Sequence, residues 1–392
     1  MLHNNEIIET NEVLENGDTF EIQTLPPDAF EIVPMGDRML DAKFEPPPIG
    51  FLKDALLRFA QNRASVVAFV ILAILVFMSI IGPSLTPFTY REQNLRMTNM
   101  PPRLPGVLGN LPGFRGERNI RIQAANLGPR EHALIRIVDE FTVHAHGRDV
   151  EMLEIRINAY VYGGFEDVYY WFGTDNIGRC MFTRTWHGLR ISLLLGLVVS
   201  IINIVIGVVY GAIQGYYGGV HDLIMQRITE ILNGIPTIMV VAVAIMLWGA
   251  SFWTLALGFS MLAWIGNANA TRMQFYRFKN REYVYAANSM GASHKRMIFR
   301  HILPNASGTL ITSFALAIPS VIGQEAFFAF IGLGMQAPTP TLGVLNVEGQ
   351  ATLLNAPHQI FFPAAIISIL LICFNVFGNG LRDAFNPSLR GA

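Results

Sequence analysis

A chain of 392 residues with 52% hydrophobic and 15% charged residues carries too little charge to cover a soluble globule of that size, and its mean hydropathy is positive. Its natural solvent is the lipid bilayer, so a bundle of spanning helices is expected. Lysine and arginine total 28 against 29 acids, a net charge of −1, which leaves no basic footprint for nucleic acid. Cys180 and Cys373 lie in different apolar neighbourhoods, form no disulfide or metal pattern, and read as small buried side chains.

Residues 1–45 are acidic, with Glu6, Glu9, Glu12, Glu15, Asp18, Glu21, Asp28 and Glu31 set against Arg38 and Lys43. A largely disordered cytoplasmic tail is expected there. After Pro46-Pro47-Pro48, residues Phe51, Leu52, Ala55, Leu56, Phe59 and Ala60 share one helical face opposite Lys53, Asp54, Arg58 and Gln61. Residues 46–63 therefore read as an interfacial amphipathic helix, or as an extension of the span that follows.

A spanning helix needs about 20 mostly apolar residues. Six windows meet that standard: 64–86, 190–214, 230–250, 252–272, 307–332 and 360–380. The first begins too far along for a cleavable signal peptide and should stay as an anchor. Between the first two lies a polar segment, 87–185, in which Leu153 to Val161 alternate strictly between apolar and polar, as do Phe141 to His146. A small β-rich lobe outside the membrane is expected, in contact with an extracytoplasmic binding protein or as a passive insertion. His144 and His146 would share a strand face, but the sequence places no third and fourth ligand. A solvated face is the expectation, with no metal site.

Within the second window Gly207, Gly211 and Gly215 recur every four residues, a groove without Cβ atoms that lets another helix approach closely. Pro236, near the start of the third, removes an amide donor and can kink the helix. Glu325 is the acid well inside the fifth window. It would lie about 27 Å along a helix starting near 307, close to the outer surface, as a candidate external gate or as an interfacial residue reaching water.

Between the fourth and fifth windows the sequence turns basic, with Arg272, Arg277, Lys279, Arg281, Lys295, Arg296 and Arg300 against the single acid Glu282. The positive-inside rule makes that loop cytoplasmic. Counting outward puts both termini in the cytoplasm, in agreement with Lys53, Arg58 and Arg63 before the first span and Arg382 and Arg390 after the last. Residues 282–289 read as a helix presenting Ala286 and Ala287 to a partner. Gly291 then permits a turn that bulkier residues resist, and a basic helix over about 293–302 leads to Pro304. The whole forms a rigid lever continuous with two spans; an ordinary helix-turn-helix loop is the bland alternative.

Ala286-Ala287, Gly291 and Leu303-Pro304, flanked by Glu282-Tyr283 and His301 to Asn305, resemble the docking loop of permeases in ATP-binding cassette (ABC) importers, narrowly the C-type permease of the dipeptide/oligopeptide/nickel family. Phe172 to Asp175, Gly178-Arg179, Gly188 to Leu193, Tyr216 to Gly219 with Asp222 and Arg227, Gly332 to Gly334 with Pro338 to Pro340, and Gly380 to Asp383 with Asn386-Pro387 are also similar to that family. Cys180 and Tyr285 depart from the usual Asp and Glu, which removes an expected ion pair with the ATPase at 285. The resemblance implies an all-α polytopic fold, a type I importer bundle of six spans with the lobe inserted between the first two and the permease core over 186–387.

It also implies the partners: a second homologous permease subunit, two ABC ATPase subunits, an extracytoplasmic substrate-binding protein and a peptide substrate. The ATPase-coupling residues would be Glu282, Tyr283, Tyr285, Ala286, Ala287, Gly291, Lys295, Arg296, His301, Pro304 and Asn305, in a loop spanning about 273–306. No Gly-x4-Gly-Lys-Ser/Thr phosphate loop occurs, so ATP and magnesium would bind the partner ATPases and this chain would contribute no catalytic residue. A nickel or oligosaccharide importer is an alternative cargo assignment. A standalone channel or secondary carrier should show inverted repeats or paired intramembrane charges, and a membrane enzyme a nucleophile–base pair; neither pattern is evident.

Overall fold

Asn62 fixes where the first apolar helix begins. Its Oδ1 accepts from the Ser65 amide at 3.2 Å, a side-chain N-cap that separates α1 (Phe51–Gln61) from α2 (Arg63–Ile81). The computed structural model describes residues 51–145 and 148–385; the acidic tail, Pro46-Pro47-Pro48, His146, Asn386-Pro387 and Arg390 lie outside them. On α1, Ala55 is buried and Phe59 meets Phe377 edge-on at 5.6 Å, while Leu56 and Leu57 stay exposed. The break at Asn62 means that α1 is not a straight continuation of α2.

The segment after α2 builds an antiparallel sheet of β1 (Glu117–Gln123), β2 (Leu134–Ala145) and β3 (Arg148–Asn158), in the order β1-β3-β2. The alternation read at 153–157 has a physical partner: Leu153, Ile155 and Ile157 are buried together with Ile122. The expected strand to Val161 stops sooner, because Asn158 Oδ1 accepts from the amides of Tyr160 and Val161 and starts the short helix α3 (Ala159–Gly163).

Helix α4 (Met181–Tyr217) runs 37 residues, about 55 Å at 1.5 Å per residue, and starts nine residues before the expected window. Beside it lie α5 (Gly219–Asn233) and α6 (Thr237–Trp248), bent by 71° where Pro236 caps α6. The kink expected at Pro236 is thus a break between two helices. Helix α7 (Phe252–Lys279) extends past the expected end, carrying Arg272, Arg277 and Lys279 on the helix rather than in a loop. Arg272 makes a two-pronged ion pair with Asp222 at 2.6 and 2.7 Å, and the Tyr276 hydroxyl donates to the same carboxylate. The remaining helices are α8 (Glu282–Ser289), α9 (His294–Arg296), α10 (Leu303–Phe330), α11 (Leu342–Ala351) and α12 (His358–Phe385).

Among the described residues four helical stretches, Arg63–Ser84, Met181–Tyr217, His294–Phe330 and His358–Phe385, are long and apolar enough to cross a bilayer, and the bent α5/α6 pair makes a fifth if it is one span. The remaining expected window lies in α7, where Asn267 and Asn269 dilute the apolar run. Helix α4 is the packing hub. Gly207, Gly211 and Gly215 line its contact with α7: a Cβ at 207 would sit 2.6 Å from Asn267 Cβ, one at 211 would meet the Ala268 carbonyl, and one at 215 would lie 2.6 Å from Phe275 Cβ. Both cysteines are buried and free.

Candidate docking handle and its polar supports

Two short apolar surfaces hold the handle against the bundle. Val284 and Ala287 of α8 pack with Met297, Ile298 and Ile302, and with Ala212 of α4 and Phe275 of α7. The expectation that Ala286 and Ala287 both face a partner is corrected here: Ala286 is exposed, whereas Ala287 points inward at 4% exposure. On a helix, successive residues lie about 100° apart, so an adjacent pair flanking the buried edge divides between the two faces. Glu282, Tyr283, Tyr285, Ala286, Lys295, Arg296, Pro304 and Asn305 are exposed and His301 is half-buried. With Arg281 and Arg300 also exposed, the outward surface is strongly basic.

The turn between the arms is built from backbone. The amides of Met290, Gly291 and Ala292 donate to the carbonyls of Ala286, Asn288 and Ala287 at 3.0, 2.9 and 3.1 Å, and Gly291 takes φ +81°, the left-handed conformation that closes helix ends. The second arm is α9 continued by a π-helical segment, Met297–Ile302, directly into α10. Pro304 accounts for the wide turn: it has no amide to donate and its ring presses on the preceding turn, which a π segment relieves. The Asn305 Nδ2 donates to the His301 carbonyl at 2.7 Å.

At the opposite end of α10, Glu325 is 1% exposed, so the reading of an interfacial residue reaching water is overturned. The start of α11 closes over it. Thr341 Oγ1 donates to Glu325 Oε1 at 2.5 Å, Ser192 Oγ donates to Oε2 at 3.3 Å, and the Leu342 amide donates to Ser192 Oγ at 3.1 Å. A Cβ at Gly343 would lie 2.8 Å from the carboxylate, so glycine is what lets α11 approach. Glu325→Leu is expected to lower stability by about 2 kcal/mol or more, because buried hydroxyls lose their acceptor. Glu325→Gln, which keeps an acceptor for Thr341, should cost less; thermal unfolding of the detergent-solubilised chain separates the two.

A second polar cluster escaped the sequence reading. Arg184, near the start of α4, donates to Asp175 Oδ2 at 2.6 Å and to both oxygens of Glu348 on α11, at 2.6 and 3.1 Å. Arg179 Nε donates to Asp175 Oδ2 at 2.6 Å. Arg184, Asp175 and Arg179 are all buried. The available signal was Arg184 itself, a charge at the mouth of the long apolar run. On the sheet, His144 pairs with Asp149 at 2.7 Å.

Long apolar helices gathered on α4, with a basic helix-turn-helix between α7 and α10, define a multi-pass membrane protein. Residues 203–391 match the family model of the binding-protein-dependent transport system inner membrane component, and residues 50–102 match the N-terminal TM domain of oligopeptide transport permease C. The oligopeptide transport system permease protein OppC of Bacillus subtilis is 31% identical over 370 residues, covering 94% of this chain and 100% of that protein. The dipeptide transport system permease proteins DppC of Bacillus subtilis and Lactococcus lactis are 33% and 34% identical, each over 88% of this chain and over 88% and 93% of their own lengths. The chain belongs to this OppC/DppC family of ABC transport permeases. Among solved structures, a chain of the MetNI methionine ABC transporter aligns with a TM-score of 0.42 at 16% identity, over 53% of this chain and 98% of that one.

Proposed function

We propose that this chain forms half of the translocation path of an ATP-driven importer of di- and oligopeptides. The observation that carries this reading is the full-length relationship to oligopeptide and dipeptide permeases, joined to an exposed basic handle continuous with α10. A second homologous permease completes the path, two ATPase subunits bind ATP and magnesium and grip the handle, and an extracytoplasmic protein delivers peptide. Six spans follow if α5/α6 counts as one and α7 as another; α7's 28 residues reach about 42 Å, enough for a bilayer core. Both termini and the handle then face the cytoplasm, where the basic residues accumulate, and the sheet faces outside. Gentle solubilisation followed by mass spectrometry of what co-purifies tests the assembly: phosphate-loop ATPases and a second permease support it, and a stable complex of this chain alone sinks it.

Gly291 supplies the functional test. Among the described residues nothing lies within 4 Å of a Cβ built there, so Gly291→Val meets backbone strain without collision. Holding a non-glycine residue left-handed costs about 1–2 kcal/mol, too little to prevent insertion and enough to open the turn. Peptide-stimulated ATPase activity of the assembled variant should fall severalfold at unchanged membrane abundance. Unchanged stimulation would count against the lever.

A further inference from the structure

A polar contact from α4 also fastens the handle to the bundle. Tyr216 Oη, in the last turn of α4, is hydrogen-bonded to His294 Nδ1 at 2.7 Å, and the Tyr216 and Tyr217 rings lie 5.7 and 6.0 Å from the imidazole. Lys279 Nζ, from the end of α7, donates to the Tyr216 carbonyl at 3.2 Å. His294 opens the second arm, three residues after Gly291, so the pin engages the handle just past its hinge. Ala212 and Tyr216 also lie against the handle's apolar underside. The same α4 holds, at its far end, Ser192 against Glu325 and Arg184 against Glu348.

Resting on the reading of 282–305 as the ATPase-docking loop, we infer that Tyr216 and His294 are positioning residues for energy coupling: they pin the handle to α4, so that its displacement drives that helix lengthwise as well as α10. A route through α10 alone would pass through the π segment, where the regular α-helical ladder is interrupted by a wider turn. Helix α4 has no such interruption between Met181 and Tyr217. Its glycine seam against α7 makes the two helices move together. Through Ser192 and Arg184, α4 then delivers the movement to α11 and to the lid over Glu325. The handle thereby acts on the far end of the bundle through a continuous helix and two polar contacts.

The test uses the complete complex reconstituted in vesicles, with Tyr216→Phe, which keeps the ring and removes the hydroxyl. Peptide imported per ATP hydrolysed should fall roughly two- to tenfold, the loss that one hydrogen bond carries, while complex yield and basal ATP hydrolysis hold. Backbone amides of 291–297 should exchange with deuterium faster. His294→Phe should reproduce both effects, and the double variant should add little, as expected for a pair acting as one unit. A Tyr216→Phe complex with unchanged coupling and unchanged exchange overturns the pin. If the unsubstituted complex hydrolyses ATP without moving peptide, the importer reading fails instead, and the exchange measurement still decides whether Tyr216 holds the handle.

Discussion

Replacing Gly211 with leucine is expected to abolish the folded chain, and Gly211→Ala to destabilise it by about 1–3 kcal/mol, the usual cost of forcing extra atoms into a packed contact. The alanine methyl would run into the Ala268 carbonyl and lie 2.9 Å from Thr271 Cβ. Neither obstacle is a flexible side-chain end, so α4 and α7 must separate. Separation also lifts the neighbouring contacts at Gly207 and Gly215, where an added Cβ would come within 2.7 and 2.9 Å of the Trp264 and Arg272 carbonyl oxygens. The control is Gly266→Ala on α7, where nothing lies within 4 Å among the described residues; alanine's better helix propensity there should raise stability by up to about 1 kcal/mol. Thermal denaturation in detergent reads all three variants. Equal melting of Gly211→Ala and the parent would remove the close seam as a support of the fold.

Arg184→Met should also be damaging, by about 1.5–3 kcal/mol, because the charge-assisted hydrogen bonds that the buried guanidinium donates to two carboxylates are lost. Asp175 keeps Arg179 at 2.6 Å, whereas Glu348 retains only the longer approach of Arg179 at 3.5 Å. The double variant Arg184→Met, Glu348→Met removes the stranded charge along with its partner and is expected to recover 0.5–3 kcal/mol relative to additivity, roughly the range seen for contacting residues. Strict additivity would show that the two do not act as a pair.

Four of the six expected windows were legible because lipid demands long apolar runs, as from Ala64 to Ile81. The glycine seam was legible for the same reason, since three glycines at helical spacing leave one face without side chains. Pattern reading failed where tertiary contacts decide. Asn158 ended a strand whose alternation continued on paper, and the orientation of Ala287 depended on which side of α8 met Met297 and Ile298. Glu325 was placed near water by its distance along α10, but its burial depends on α11, and α11 depends on Gly343 fitting beneath it. The Arg184 cluster joins residues from separated segments that meet only in the fold, so each member alone reads as an ordinary polar residue.

The π segment at Met297–Ile302 sets a phase. It holds about one residue more per turn than an α-helix, so the handle arm is rotated by roughly 100° about the axis of α10 relative to an uninterrupted helix. Met297, Ile298 and Ile302 face α8 on one side of that offset, while Ala306 and Leu310 are buried on the other. Losing one residue between 297 and 302 would leave hydropathy and charge almost untouched, yet it would turn the basic surface a quarter revolution or so away from its partner. In this stretch residue count matters alongside residue identity: Met297, Ile298 and Ile302 must stay apolar to pack against α8, exposed Phe299 and Arg300 can be exchanged, and no position can be deleted without turning the arm.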